Sequence, residues 1–184
     1  MNIADAQQDM RHAYYGGAVG LIASATVWLT AAGVARLGSP GHAIVALLVG
    51  GMLIHPASML LAKTLGRPGA HTRGNPLAAF ALEGTVFFLL GITLAYALSW
   101  YRVEWFFSAM LVLIGGRYLT FSTLYGLRVY WACGALLAAA GMLSAAMQAR
   151  AWTAALSGAL LEYAFAAVVV FIVQRRMVPA RRAG

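Results

Sequence analysis

The stretch that decides the fold is "NPLAAFALEGTVFFLLGITLAYAL", Asn75 to Leu98, in which Glu83 is the one charged residue. A bilayer core about 30 Å thick takes about 20 apolar residues as a helix. This stretch supplies them, and Pro76 suits the first helical turn. It predicts a membrane-spanning helix. A carboxylate inside such a helix costs roughly 2.5 kcal/mol or more when it faces lipid alone. The same stretch therefore asks what accompanies Glu83.

The rest of the chain repeats the pattern. Of 184 residues, 62% are hydrophobic and 10% charged, and mean hydropathy is +0.78. A typical soluble domain carries about 25% charged residues. A soluble fold of this size could not hide so much apolar surface. Six apolar segments are predicted to span, at about residues 14–35, 42–62, 76–98, 103–125, 130–147 and 152–173. "RLGSPG", "GRPGAHTRGNP" and "SWYRVE" separate each of the first three spans from its successor, and "GLR" is a very short fourth break. No long linker or composition shift divides the chain, so residues 1–184 read as one integral membrane domain. The fold class is an all-α bundle of six transmembrane helices.

An even number of spans puts both termini on one side. That side carries Arg11, Lys63, Arg67, Arg73, Arg128, Arg175, Arg176, Arg181 and Arg182, nine basic residues. The other side carries Arg36, Arg102 and Arg150. The excess predicts cytoplasmic termini, and a multi-pass protein of a bacterial inner membrane. Trp28, Trp100, Trp105 and Trp152 fall toward the outer ends of their spans and Trp131 toward the inner interface, as an aromatic belt requires. The N-terminus, "MNIADAQQDMR", lacks a basic start and a cleavage site, so the first helix is expected to stay.

The net charge is +8. Its basic residues flank apolar runs, which points to anionic lipid headgroups and not to nucleic acid. The tail "RRMVPARR" is the clearest such contact. Cys133, the lone cysteine, reads as a small buried hydrophobe.

Four ionisable residues fall in one slab of membrane. Counted at 1.5 Å per residue from the cytoplasmic ends, His55 and Glu83 lie about 10 Å in, Arg117 about 12 Å and Glu162 about 16 Å. Glu83 and Arg117 are level, opposite in sign and on consecutive helices, which predicts a bidentate ion pair. Glu162 has small helical neighbours, Gly158, Ala159 and Ala166, so its face packs on another helix. It either shares Arg117 or carries its proton, as the titrating group of a proton-coupled carrier does. His55 precedes Pro56, whose missing N–H frees the Met52 carbonyl. With Ser58 one turn on, His55 outlines a polar notch in a kinked helix, a feature of transporters. His55 also reads as an ordinary core histidine, and the Glu83–Arg117 pair as a purely structural lock. Tyr118 and Tyr163 are secondary members of the cluster.

Gly16, Gly20 and Ser24 form a small-residue stripe suited to helix packing. Overlaying Glu83 on Glu162 aligns "LAAFALEGTVFFL" with "LSGALLEYAFAAV", a weak hint of an internal repeat. No zinc spacing, serine elbow or phosphate-cradling loop occurs. Hence no catalytic residue, metal ligand or cofactor is assigned, and an enzyme is disfavoured. Two functions are compatible with these residues. One is a small carrier or channel-like protein for a proton, ion or small solute, and the short chain suits a homodimer. The other is a non-catalytic membrane subunit or scaffold held by the Glu83–Arg117 pair.

At "IHPASMLLAKTLGRPG" (54–69) and "NPLAAFALEGTVFF" (75–88) the chain resembles a family of small multi-pass bacterial membrane proteins with no assigned function. His55 with Pro56, Lys63, Asn75, Pro76 and Glu83 carry the resemblance, over about the first two-thirds of the chain. It implies an inner-membrane protein and supplies no activity and no catalytic residue.

Overall fold

The structure, a computed structural model, describes residues 1–181, with side chains through Arg175. The lipid contact expected of Arg176, Arg181 and Arg182 lies outside the described side chains. Seven α-helices succeed one another: α1 (Ile3–Ala13), α2 (Ala18–Leu37), α3 (Pro40–Thr64), α4 (Leu77–Ser99), α5 (Val103–Tyr125), α6 (Val129–Ala146) and α7 (Ala151–Arg181). A single 3-10 turn, Tyr15–Gly17, joins α1 to α2. There is no strand among the described residues.

Six of these elements are long and apolar enough to cross a membrane: Tyr15–Leu37, Pro40–Thr64, Leu77–Ser99, Val103–Tyr125, Val129–Ala146 and Ala151–Arg175. They make this a multi-pass membrane protein. Local chemistry sets their ends. Ser39 caps α3 by accepting from the His42 N–H, with Pro40 in the first turn. Gly126 takes the left-handed conformation and stops α5, which is how the brief "GLR" break reverses the chain.

The bundle is built on two tight helix pairs, α5 with α6 and α2 with α7. Glycine makes the first pair possible. A Cβ at Gly115 would lie 2.6 Å from the Gly134 carbonyl oxygen, and one at Gly134 2.5 Å from the Gly115 oxygen. Backbones approach this closely only without side chains, and close approach drives helix association in lipid. The helix α3 lies along α2, with Gly50 against Val27, and also touches α5. The helix α4 lies along α5, with Gly91 against Leu113. Neither α3 nor α4 packs extensively on the other. The stripe Gly16, Gly20 and Ser24 is internal, since Gly16 meets Val173 and Gly20 faces Ser58.

One helix was not foreseen. Residues 3–13 are polar, yet Ala6, Met10 and Ala13 are buried on one face. Asn2 accepts from the Asp5 N–H at the start, and Arg11 and His12 stand at the end, where they suit the helix dipole. This helix seats on the end of the bundle that also carries the α3–α4 loop, here called the capped end. Asp9 accepts hydrogen bonds from Thr72 N–H, Thr72 Oγ1 and Asn75 Nδ2. Gln7 donates to the Thr123 carbonyl and Arg11 to the Tyr125 carbonyl. Tyr14 and His71 bond at 2.9 Å, and Arg67 lies over the Tyr15 ring.

The aromatic belt needs one correction. Trp28 is 2% exposed and packs beside Gly158 in the core. A small residue on α7 leaves the indole room inward. Trp100 and Trp131 do face outward, and Trp152 carries Arg36 over its ring.

Candidate functional site

Helices α2, α5 and α7 meet around Glu162, whose side chain is fully buried. Its neighbours on α7, Ala159 and Ala166, are buried too, and Gly158 admits Trp28 and Leu111. Small residues bring the helices close enough to seal a carboxyl away from lipid. Tyr118 on α5 donates to Glu162 Oε1 at 2.9 Å. Ser24 on α2 approaches both groups, but its Oγ makes hydrogen-bond geometry with neither. Glu162 Oε2 is likewise buried without a partner among the described residues. Two unpaired polar atoms thus stand in one sealed core, within electrostatic reach of the buried Cys133 thiol of α6. Buried polar groups are nearly always paired, so two orphans side by side call for a reason.

An aromatic stack leads from this carboxyl toward the capped end. The Tyr118 ring stacks on Tyr130 at 6.1 Å, and Phe121 and Tyr125 pack against Tyr130. The Tyr130 hydroxyl donates to the Gly16 carbonyl at 2.8 Å. Gly16 and Gly17 sit at φ +65 and +90, a turn that bulkier residues adopt poorly.

The structure does not gather the four expected ionisable residues. Glu83 is exposed on α4, and no ion pair or hydrogen bond joins it to Arg117. The depths agreed, but the two side chains leave their helices in different directions. Arg117 instead donates to Thr85 Oγ1 at 3.1 Å and lies over the rings of Phe88 and Phe121. Nor does Glu162 share Arg117, since Tyr118 is its partner. His55 is exposed on α3, so it is neither a core histidine nor beside Glu162. Ser58 is buried, and its hydroxyl donates to the Ile54 carbonyl within its own helix, so it does not join the exposed His55 in a notch. The helix α3 runs through Pro56.

Tyr163, adjacent to Glu162 in sequence, lies on the other side of α7. It bonds Thr26 at 2.8 Å in an outward-opening groove of about 530 Å³ lined by Ile22, Ala166, Val170 and Phe171. The overlay of Glu83 on Glu162 has no counterpart in environment, since one carboxyl is exposed and the other sealed. Sequence reasoning placed Tyr118 second and read Ser24 as packing alone. Its missing signal was rotation around each helix, which depth does not report.

At the capped end the electrostatics are plain. Partial burial works against the charge on Asp9, but the bonds from Asn75 and Thr72 and the nearby His71 outweigh it. They hold its carboxyl below the usual carboxylate range. Burial pushes the Tyr14 phenol up, opposed by its bond to His71 and aided by the Asp9 charge. No group of three or more His, Cys, Asp or Glu side chains able to hold a metal occurs among the described residues.

A family of unknown function, DUF7010, matches residues 3–172. The chain belongs to this family, and the match runs well beyond the first two-thirds that carried the resemblance. No curated protein and no solved structure matches it.

Proposed function

We propose that this protein is a small membrane carrier of protons with Glu162 as its proton site. The observation that carries the reading is the sealed pair of orphan atoms, Glu162 Oε2 and Ser24 Oγ, beside the Tyr118–Glu162 bond. A proton on Oε2 makes the carboxyl neutral, the form a sealed apolar core accommodates at least cost. Its loss leaves a carboxylate in a dry core, which is costly unless the helices part and admit water. Binding and release of one proton are thereby tied to helix movement, as a carrier requires. The Tyr118 and Tyr130 rings lead from the carboxyl toward the capped end, and exchange on that side is part of this reading. The excess of basic residues at that end supports a cytoplasmic side for it in a bacterial inner membrane.

The test is proton flux into liposomes holding the purified protein, with an imposed potential and a pH-sensitive dye inside. Wild type is expected to conduct, and Glu162→Gln, which keeps an acceptor for Tyr118, is expected not to while melting normally. Equal flux through both proteins, or none through folded wild type, overturns the reading. A second reading, a non-transporting membrane subunit, is favoured by one observation. Glu83 and His55 are exposed on α4 and α3 at membrane depth, where a partner helix would shield them. The mass of the purified assembly in a mild detergent tests it.

A further inference from the structure

Arg117 is a permanent cation with no counter-ion among the described residues. Its guanidinium carries five N–H donors in a fixed fork, and it stays charged at any physiological pH. One hydrogen bond, to Thr85 Oγ1, is made. The Thr85 hydroxyl already donates to the Ala81 carbonyl, and Thr120 Oγ1 donates to the carbonyl of Arg117 itself. Neither of the two intramembrane carboxylates serves. Glu162 is bonded to Tyr118, and Glu83 is exposed without a bond to the guanidinium.

A lone arginine near a span end normally extends toward the headgroups. This one does not. Its contacts on α4, Thr85 and Phe88, lie about 12 and 16 Å along that helix from Leu77. The Phe88 ring, 5.1 Å from Cζ, and the Phe121 ring, 5.9 Å away, hold the guanidinium between them at that depth. The side chain is half-buried and not sealed. Next to it on α5, Gly116 is exposed and has open space around it. A charged fork is thus oriented against α4, unspent and reachable from the open face of α5 at Gly116.

We propose that Arg117 is the binding site for an oxyanion, a carboxylate or phosphate group, seated beside α4 on the open face of α5. Two parallel N–H···O bonds to the guanidinium satisfy the fork, and the phenyl rings fix its plane. The same chemistry is offered by a soluble anion and by an anionic lipid headgroup. The inference stands on Arg117 alone and does not depend on the proton reading of Glu162.

The experiment records thermal melting of the full chain in nanodiscs of phosphatidylcholine. Inorganic phosphate and, separately, acetate are titrated against chloride at constant ionic strength. A further arm replaces part of the lipid with phosphatidylglycerol. A ligand that binds only the folded protein raises its melting temperature with concentration. The expected result is a rise in wild type that saturates, is absent in Arg117→Gln and is mostly lost in Arg117→Lys, which keeps the charge without the fork. A rise with phosphate or acetate identifies a soluble anion, and a rise with phosphatidylglycerol alone identifies a headgroup. No Arg117-dependent rise in any arm overturns the proposal. Should Arg117→Gln fail to fold, Arg117→Lys against wild type decides. The readout involves no transport, so its failure leaves the Glu162 reading standing, and the reverse.

Discussion

Gly115 and Gly116 are neighbours on α5 and should respond oppositely to the same methyl group. A Cβ at Gly115 would stand 2.6 Å from the Gly134 oxygen, 2.7 Å from the Ala138 nitrogen and 3.1 Å from the Ala138 Cβ. Two of these are backbone atoms of α6 and cannot swing aside. Restoring an ordinary contact of 3.4 Å from 2.6 Å requires the helices to part by about 0.8 Å. A gap of 0.5–1 Å forfeits roughly a quarter to a half of the dispersion energy between facing atoms. The α5–α6 pair is the most extensive in the bundle, and dispersion is much of what holds helices together in lipid. Overpacking costs typically about 1–3 kcal/mol, and Gly115→Ala belongs at the upper end. A Cβ at Gly116 meets nothing within 4 Å. There alanine's helix preference, up to about 1 kcal/mol, acts unopposed. The assay is unfolding of both variants by denaturing detergent, monitored by circular dichroism. A Gly115→Ala protein as stable as wild type, or a Gly116→Ala protein equally damaged, refutes the packing argument.

Three further outcomes are expected. Glu162→Leu leaves the Tyr118 hydroxyl buried without its acceptor, at a cost of about 1–3 kcal/mol, whereas Glu162→Gln keeps an acceptor; detergent denaturation compares the two. The Asp9 carboxyl sits lower in the folded protein than in the unfolded chain, so its bonds to Thr72 and Asn75 stabilise the cap fully above the ordinary range near about pH 4 and weaken as pH falls through the lowered value. The protection factor of the Thr72 amide should therefore fall on acidification in wild type and be low throughout in Asp9→Ala. The Arg102–Glu104 pair, 4.0 Å apart and partly exposed, should contribute about 0–1 kcal/mol; a double-mutant cycle measures it.

What the sequence made legible was position along the membrane normal. Hydropathy gave six spans to within about two or three residues, and Ser39, Pro40 and Gly126 marked ends by recognisable chemistry. The depth of Glu162 and its small neighbours announced a sealed carboxyl. Azimuth was not legible. These spans are apolar nearly all the way round, so no polar face says which side meets a neighbour. Glu83 and Arg117 agree in depth and charge, yet rotation about α4 turns Glu83 outward while Thr85, two residues on, meets the guanidinium. Trp28 misled for the same reason. The helix α1 was hidden differently. Its polar composition masked Ile3, Ala6, Met10 and Ala13, whose spacing of three and four residues is a helical stripe.

That first helix has a consequence for how the molecule is made. Its seat includes the carbonyls of Thr123 and Tyr125, which lie 116 and 114 residues beyond their partners Gln7 and Arg11. The side chains that anchor the turn behind it, Leu127, Tyr130, Val169 and Val173, come later still. Residues 3–13 therefore leave the ribosome before the carbonyls they dock on, and wait for them. Until then α1 is an amphipathic segment with its apolar face uncovered at the membrane surface. Its docking reports that the end of α5 and the α3–α4 loop have reached their places.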